Sequence, residues 1–200
     1  MKKKILVLGI TGSFASGKSS VAEMFRRLGA RIIDADKIYH RLIKPPNPLY
    51  KKIVSVFGQD ILRRNKYIDR KKLAERVFTD KEALNKLSQI THPVIIKEIK
   101  RRLKKIKPGV VIIDAPLLIE AGLNKIVDKL IVVKINRKNQ VIRCREQRGL
   151  SGDEIAGRNR AQVALSEKIK LADYVIDNNG TFKQTNEQVD KIWKKISVKR

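Results

Sequence analysis

Residues 12–19 read Gly12-Ser13-Phe14-Ala15-Ser16-Gly17-Lys18-Ser19 and match G-x-x-x-x-G-K-[ST] at every fixed position. The pattern constrains the chain strongly, because it works only where a buried strand ends and a helix begins. Ile5-Leu6-Val7-Leu8, inside the segment from Lys4 to Ile10, predicts that strand, and Ser19 to Leu28 carries the apolar spacing of the helix. Glycines let successive backbone N–H groups turn inward as an anion-binding nest, to which the helix adds its positive N-terminal end. A polyphosphate is then held mainly by main chain, from Gly12 to Ser20, with Lys18 reaching its β- and γ-phosphates and the Ser19 hydroxyl ligating Mg²⁺.

Past this helix, Arg31-Ile32-Ile33 predicts a second short strand ending in Asp34-Ala35-Asp36. Two carboxylates just past a strand's carboxyl end lie where open α/β sheets bind ligand. Either one accepts a hydroxyl proton while the other caps a helix, or both merely cap the helix over Lys37 to Ile43. From Lys44 the pattern turns helical and loses its strands. Pro45-Pro46-Asn47-Pro48 breaks the chain, and helices are expected over Asp69 to Phe78, Lys81 to Leu87 and Pro93 to Ile106. This stretch, about 44–107, reads as an inserted substrate lobe.

Val110-Val111-Ile112-Ile113 is the clearest buried strand, and it closes with Asp114. An acid there is the second magnesium-associated element of phosphate-loop enzymes, acting through water, unless it is a structural cap. Asp128 to Ile135 and Ala172 to Ile176 supply two more strands, and a terminal amphipathic helix runs from Phe182 to about Ile196. Strands alternating with helices imply a three-layer α/β fold around a five-stranded parallel sheet with right-handed crossovers. The core is expected over 1–43, 108–136 and 171–200, as one domain.

Between the fourth and fifth strands, about 137–170, lies an arginine-rich helical segment. Arg143, Arg145, Arg148, Arg158 and Arg160 are placed to neutralise transferring phosphate, or they line a solvated helical hairpin. Gly149 and Gly152 bracket a corner that suits a closing lid.

The net charge of +26 raises the question of nucleic acid. Dispersed lysines, clustered only at Lys97 to Lys107 and Lys191 to Arg200, and aromatics at 5% argue against a dedicated binder. A phosphate-rich ligand accounts for part of the charge. The single cysteine, Cys144, forms no internal disulfide and is expected to be half-buried and without chemistry. Too short an apolar run follows the N-terminal lysines for a signal peptide, and no segment is long enough to span a bilayer. A cytoplasmic protein, monomeric or weakly self-associating, is the expectation.

Gly12 to Ser19, Asp34-Ala35-Asp36, Thr91-His92-Pro93, Asp114-Ala115-Pro116-Leu117-Leu118-Ile119-Glu120 and Ala172-Asp173-Tyr174-Val175-Ile176-Asp177-Asn178 occur in the order seen in the dephospho-CoA kinase family, which the chain resembles. The resemblance implies a nucleotide-kinase fold and phosphorylation of the ribose 3′-hydroxyl of dephospho-CoA by ATP with Mg²⁺. It makes Asp36 the acid that takes the hydroxyl proton, with Lys18, Arg145 and Arg148 as the catalytic cations. Asp34, His92, Pro93 and Leu117 fall with the substrate, Asn178 with the adenine nucleotide. The chain departs from the family at Ser13, Phe14 and Ala15, where Phe14 must find apolar cover, and at Gln147, which stands for an expected arginine. His40, where relatives often carry arginine, is left without a role.

Overall fold

The computed structural model describes residues 5–197, the side chains of Gln147 and Arg148 excepted. Lys4, the last three residues of the Lys191 to Arg200 cluster and the Arg148 side chain therefore lie outside the described residues. Contacts divide the chain into two compact units, Asp34–Lys105 and the remainder.

The larger unit is a sheet of β1 (Ile5–Gly12), β2 (Arg31–Asp34), β3 (Gly109–Asp114), β4 (Lys129–Lys134) and β5 (Tyr174–Asp177), in the order β2-β3-β1-β4-β5. β1 pairs in parallel with β3 and β4, and β4 with β5. This is the five-stranded parallel sheet that the alternation of elements predicts. Burial on both faces explains why the strands read as continuous apolar runs. One face of the central strand sends Leu8 and Ile10 into a core with Val21 and Phe25 of α1 (Lys18–Arg27) and Val189 and Ile192 of α9 (Phe182–Ser197). Phe25 and Trp193 meet there with ring centroids 6.4 Å apart. The other face is closed by the turn after β3, so tightly that a Cβ on Gly9 would stand 2.6 Å from Leu118 Cδ1.

Strand order reverses beside β1, the place where open α/β sheets form a crevice at their carboxyl ends. The register puts Asp114, the last residue of β3, opposite Ile10 of β1. Two residues later the chain reaches Gly12, so one rim carries both the glycine loop and the acid. Between β4 and β5 the arginine-rich segment folds as α6 (Arg137–Arg148), α7 (Gly152–Arg160) and α8 (Leu165–Lys170).

The smaller unit packs α2 (Ala35–Leu42), α3 (Pro48–Phe57), α4 (Arg70–Thr79) and α5 (Lys81–Leu103) around Ile43, Leu49, Ile53, Phe57, Leu73, Val77 and Ile90. The unit begins at Asp34 rather than at Lys44, because Tyr39, Leu42 and Ile43 at the end of α2 join this core. The two helices expected over Lys81 to Leu87 and Pro93 to Ile106 are one, and Pro93 sits inside it. Proline in a helix interior forfeits a hydrogen bond and costs roughly 3 kcal/mol. Burial of Ala83, Ile90, Thr91 and Ile99 on the inner side outweighs that, while Pro93 itself faces out.

Candidate active site

Packing dictates the glycines of the loop. A Cβ on Gly12 would lie 2.2 Å from the Val133 carbonyl oxygen, and one on Gly17 would lie 2.1 Å from Asn178 Nδ2. Gly17 also holds φ +86° as it caps α1. Ala15 holds φ +54°, a left-handed conformation that only glycine adopts without cost.

Three of the loop's carbonyls are held by side chains, one from the loop itself and two from elsewhere in the chain. Lys18 Nζ donates to Ser13 O at 3.0 Å, Gln140 Nε2 to Phe14 O at 2.6 Å, and Asn178 Nδ2 to Ser16 O at 2.8 Å. In a trans peptide the N–H lies opposite the C=O, so each clamped carbonyl aims the amide of the following residue to the other side. Asn178 is fixed in turn, its Oδ1 accepting from Thr185 Oγ1 at 2.9 Å and its carbonyl from Arg143 Nη2 at 2.9 Å.

Ser19 Oγ donates to Asp114 Oδ2 at 3.0 Å, so the hydroxyl and the carboxylate picked from sequence meet at the rim. Asp114 is buried and Ser19 exposed. No group of three or more His, Cys, Asp or Glu among the described residues could hold a metal ion. One carboxylate with one hydroxyl is the sparse protein share that suits Mg²⁺ when phosphates supply the remaining oxygens. Buried Ser13 Oγ and Ser16 Oγ have no hydrogen-bond partner in the loop, so two further donors fit a phosphate there.

The arginines separate by helix face. Arg143, one turn from Gln140 on α6, lies against the loop, whereas Arg145, two residues on, is exposed. Arg158 of α7 stacks over the Phe14 ring at 5.0 Å, so part of the cover for Phe14 is a cation. Leu117 is half-buried in the turn after β3. Pro116 O in that turn accepts from Thr11 Oγ1 at 3.0 Å and from Lys168 Nζ at 3.1 Å, and Lys168 pairs with Glu120 Oε1 at 2.9 Å. Sequence reasoning missed Gln140, Asn159 and Lys168, for amides carry no pattern and Lys168 reads as one more surface lysine, and it quoted Glu120 only as the end of a motif, without a role.

Asp34, Asp36, His92 and Pro93 belong to the helical unit. Asp34 caps α2, accepting from the Lys37 amide at 2.8 Å, which both readings of the pair allow. Asp36 is exposed in the first turn of α2, and His92 is half-buried on α5. His40, one turn beyond Asp36, accepts from Arg70 Nη1 at 2.6 Å, and burial together with Arg70 pulls the imidazole below its ordinary value. Burial pushes the Tyr39 hydroxyl up to about 12.

The family model described as dephospho-CoA kinase (CoaE) matches residues 6–184. A dephospho-CoA kinase of Carboxydothermus hydrogenoformans is 42% identical over 186 residues, spanning 92% of this chain and 90% of that protein. Among solved structures, the dephospho-CoA kinase from Campylobacter jejuni is 31% identical with a TM-score of 0.68, covering 96% of this chain and 98% of that one. A Thermus thermophilus protein is 29% identical with a TM-score of 0.81, covering 95% and 96%.

Proposed function

This chain belongs to the dephospho-CoA kinase family, and on that premise we propose that it transfers the γ-phosphoryl group of ATP to the ribose 3′-hydroxyl of dephospho-CoA, giving coenzyme A. The observation that carries the reading is the Ser19 to Asp114 hydrogen bond at the end of the glycine loop. It joins a hydroxyl and a carboxylate where phosphate-loop kinases need both.

The amides of residues 13–19 and the Ser13 and Ser16 hydroxyls bind the β- and γ-phosphates. Lys18, now held by Ser13 O, turns its ammonium to them. Ser19 and Asp114 would hold Mg²⁺, which would supply charge neutralisation on the phosphate oxygens. Phosphoryl transfer passes through a loose transition state, so positioning and charge neutralisation dominate the rate. Arg143 and Arg158, the guanidiniums seated at the loop, supply that charge ahead of the exposed Arg145. Asp36 orients the acceptor hydroxyl and takes its proton, and Asp34 holds the helix that carries it. His92, Pro93 and Leu117 are assigned to the acceptor substrate by their places in the family motifs.

Among the described residues no helix is long and apolar enough to cross a membrane. The test is to incubate the purified protein with ATP, Mg²⁺ and dephospho-CoA and look for coenzyme A by mass. Lys18→Ala should abolish the product. No mass gain with the intact protein overturns the reading.

A further inference from the structure

Gln140 is a buried polar side chain, 4% exposed, with three hydrogen bonds that run in two directions. Its Nε2 donates to Phe14 O of the phosphate loop at 2.6 Å and to Asn159 Oδ1 of α7 at 3.2 Å, while its Oε1 accepts from Asn159 Nδ2 at 3.0 Å. The two amides thus form a reciprocal pair, and one of them also grips the loop. The neighbour of Asn159 is Arg158, whose guanidinium stacks on the Phe14 ring at 5.0 Å. Phe14 is therefore held at its carbonyl and at its ring by two adjacent residues of α7, one of them acting through Gln140.

We infer that Gln140 and Asn159 are positioning residues for nucleotide binding. They lock the first half of the phosphate loop and bring the α7 arginine to it, an inference that rests on the ATP-dependent reading above. The Phe14 carbonyl turned toward Gln140 aims the Ala15 amide to the other side of the peptide. Ala15 is also the residue with the left-handed φ of +54°, so the clamp acts where the backbone most needs an external constraint. Without the amide pair, the nest is no longer preorganised before ATP arrives and the ordering must be done on binding. Arg158 loses the neighbour that fixes its place on the Phe14 ring. Both effects fall on ATP, and neither falls on the acceptor.

The experiment measures ATP binding by titration calorimetry without acceptor, then steady-state kinetics, for wild type, Gln140→Met, Asn159→Leu and the double variant. Each single substitution should weaken ATP binding about fivefold to tenfold, the equivalent of one lost buried hydrogen bond. The double should be no weaker than the poorer single, because the two side chains act as one unit. KM for dephospho-CoA should stay within about twofold, which general loosening of the fold would not leave untouched. If Gln140→Met does not fold, Gln140→Glu, which keeps the volume but loses the donor to Phe14 O, carries the test with Asn159→Leu. ATP affinities equal to wild type, or losses that multiply in the double variant, overturn the inference. A wild type that binds ATP yet leaves dephospho-CoA unchanged would overturn the acceptor assignment and not this coupling.

Discussion

Lys168 Nζ lies 2.9 Å from Glu120 Oε1, and the lysine side chain is fully buried. The same ammonium donates to Pro116 O, and the same carboxylate oxygen accepts the Val163 amide at 2.8 Å. α8 is thereby tied to both ends of the turn that follows Asp114. Removing one member of a buried ion pair strands the other, at about 3–5 kcal/mol. Lys168→Met should lower unfolding free energy by that amount in urea denaturation, and adding Glu120→Gln should recover part of it. A single variant as stable as the wild type would mean that water reaches the pair.

Ala15 offers a gain where the other substitutions cost. A non-glycine residue at φ +54° carries about 1–2 kcal/mol of strain. Glycine there removes the strain but loosens the unfolded chain by about 0.4–1 kcal/mol. The first outweighs the second, so Ala15→Gly should stabilise the protein by up to about 1 kcal/mol, read as a higher melting temperature. A lower one would show that the loop draws support from the Ala15 methyl.

Glu98 gathers Arg101, Arg102 and Arg41 around one carboxylate, at 2.6, 3.0 and 2.5 Å. Hydrogen bonding to Arg101, then to Arg102 and Arg41, holds the carboxyl far below its ordinary range against the opposing effect of burial. A depressed folded value means that the folded state favours the ionised form. Its contribution is complete above the unfolded value of about 4.3 and is lost progressively as pH falls below it toward the folded value. Wild type should exceed Glu98→Gln in stability at pH 7, and the gap in denaturation midpoints should narrow steadily from about pH 4 downward. A gap constant from pH 7 to pH 3 would remove the charge from the explanation.

The proposal that Ser19 and Asp114 hold Mg²⁺ makes the metal dependence of turnover its test. Asp114→Asn keeps the shape of the side chain and removes its charge, so saturation with Mg²⁺ should need at least about tenfold more metal, one factor of ten being 1.4 kcal/mol. Ser19→Ala should shift the titration in the same direction. Unchanged Mg²⁺ titrations of turnover in both variants would exclude this rim as the metal's place.

The strand, loop and first helix were legible because each signal is local: an apolar run, two glycines no side chain can replace, and a helix face. Asp114 was legible because it closes an unmistakable strand, and the register with Ile10 did the rest. Pro93 misled because the local rule against interior proline gave way to burial on the opposite side of α5. Cys144 is fully buried rather than half-buried, for it shares with Gln140 the α6 face that meets the loop, a face carrying little apolar signal in a helix crowded with arginine. The pairing of Lys168 with Glu120 was illegible for a related reason, since each charge is satisfied by a residue far along the chain.

Asp36 is where the chemical proposal is most exposed to test. It stands in the first turn of α2, a helix fixed independently by the Asp34 cap, so Asp36→Asn leaves both the fold and the ATP cradle in place. ATP affinity should stay within about twofold. If Asp36 takes the hydroxyl proton, kcat should fall by about 10²–10⁴, toward the lower end because a loose transition state asks little of its base. His40 on the next turn offers no substitute, since its Nε2 already accepts from Arg70 and burial disfavours its protonated form. His40→Asn should therefore leave the residual rate of Asp36→Asn unchanged. Stopped-flow or quench measurement of a single turnover separates chemistry from product release, and an Asp36→Asn enzyme with the wild-type single-turnover rate would take Asp36 out of the mechanism.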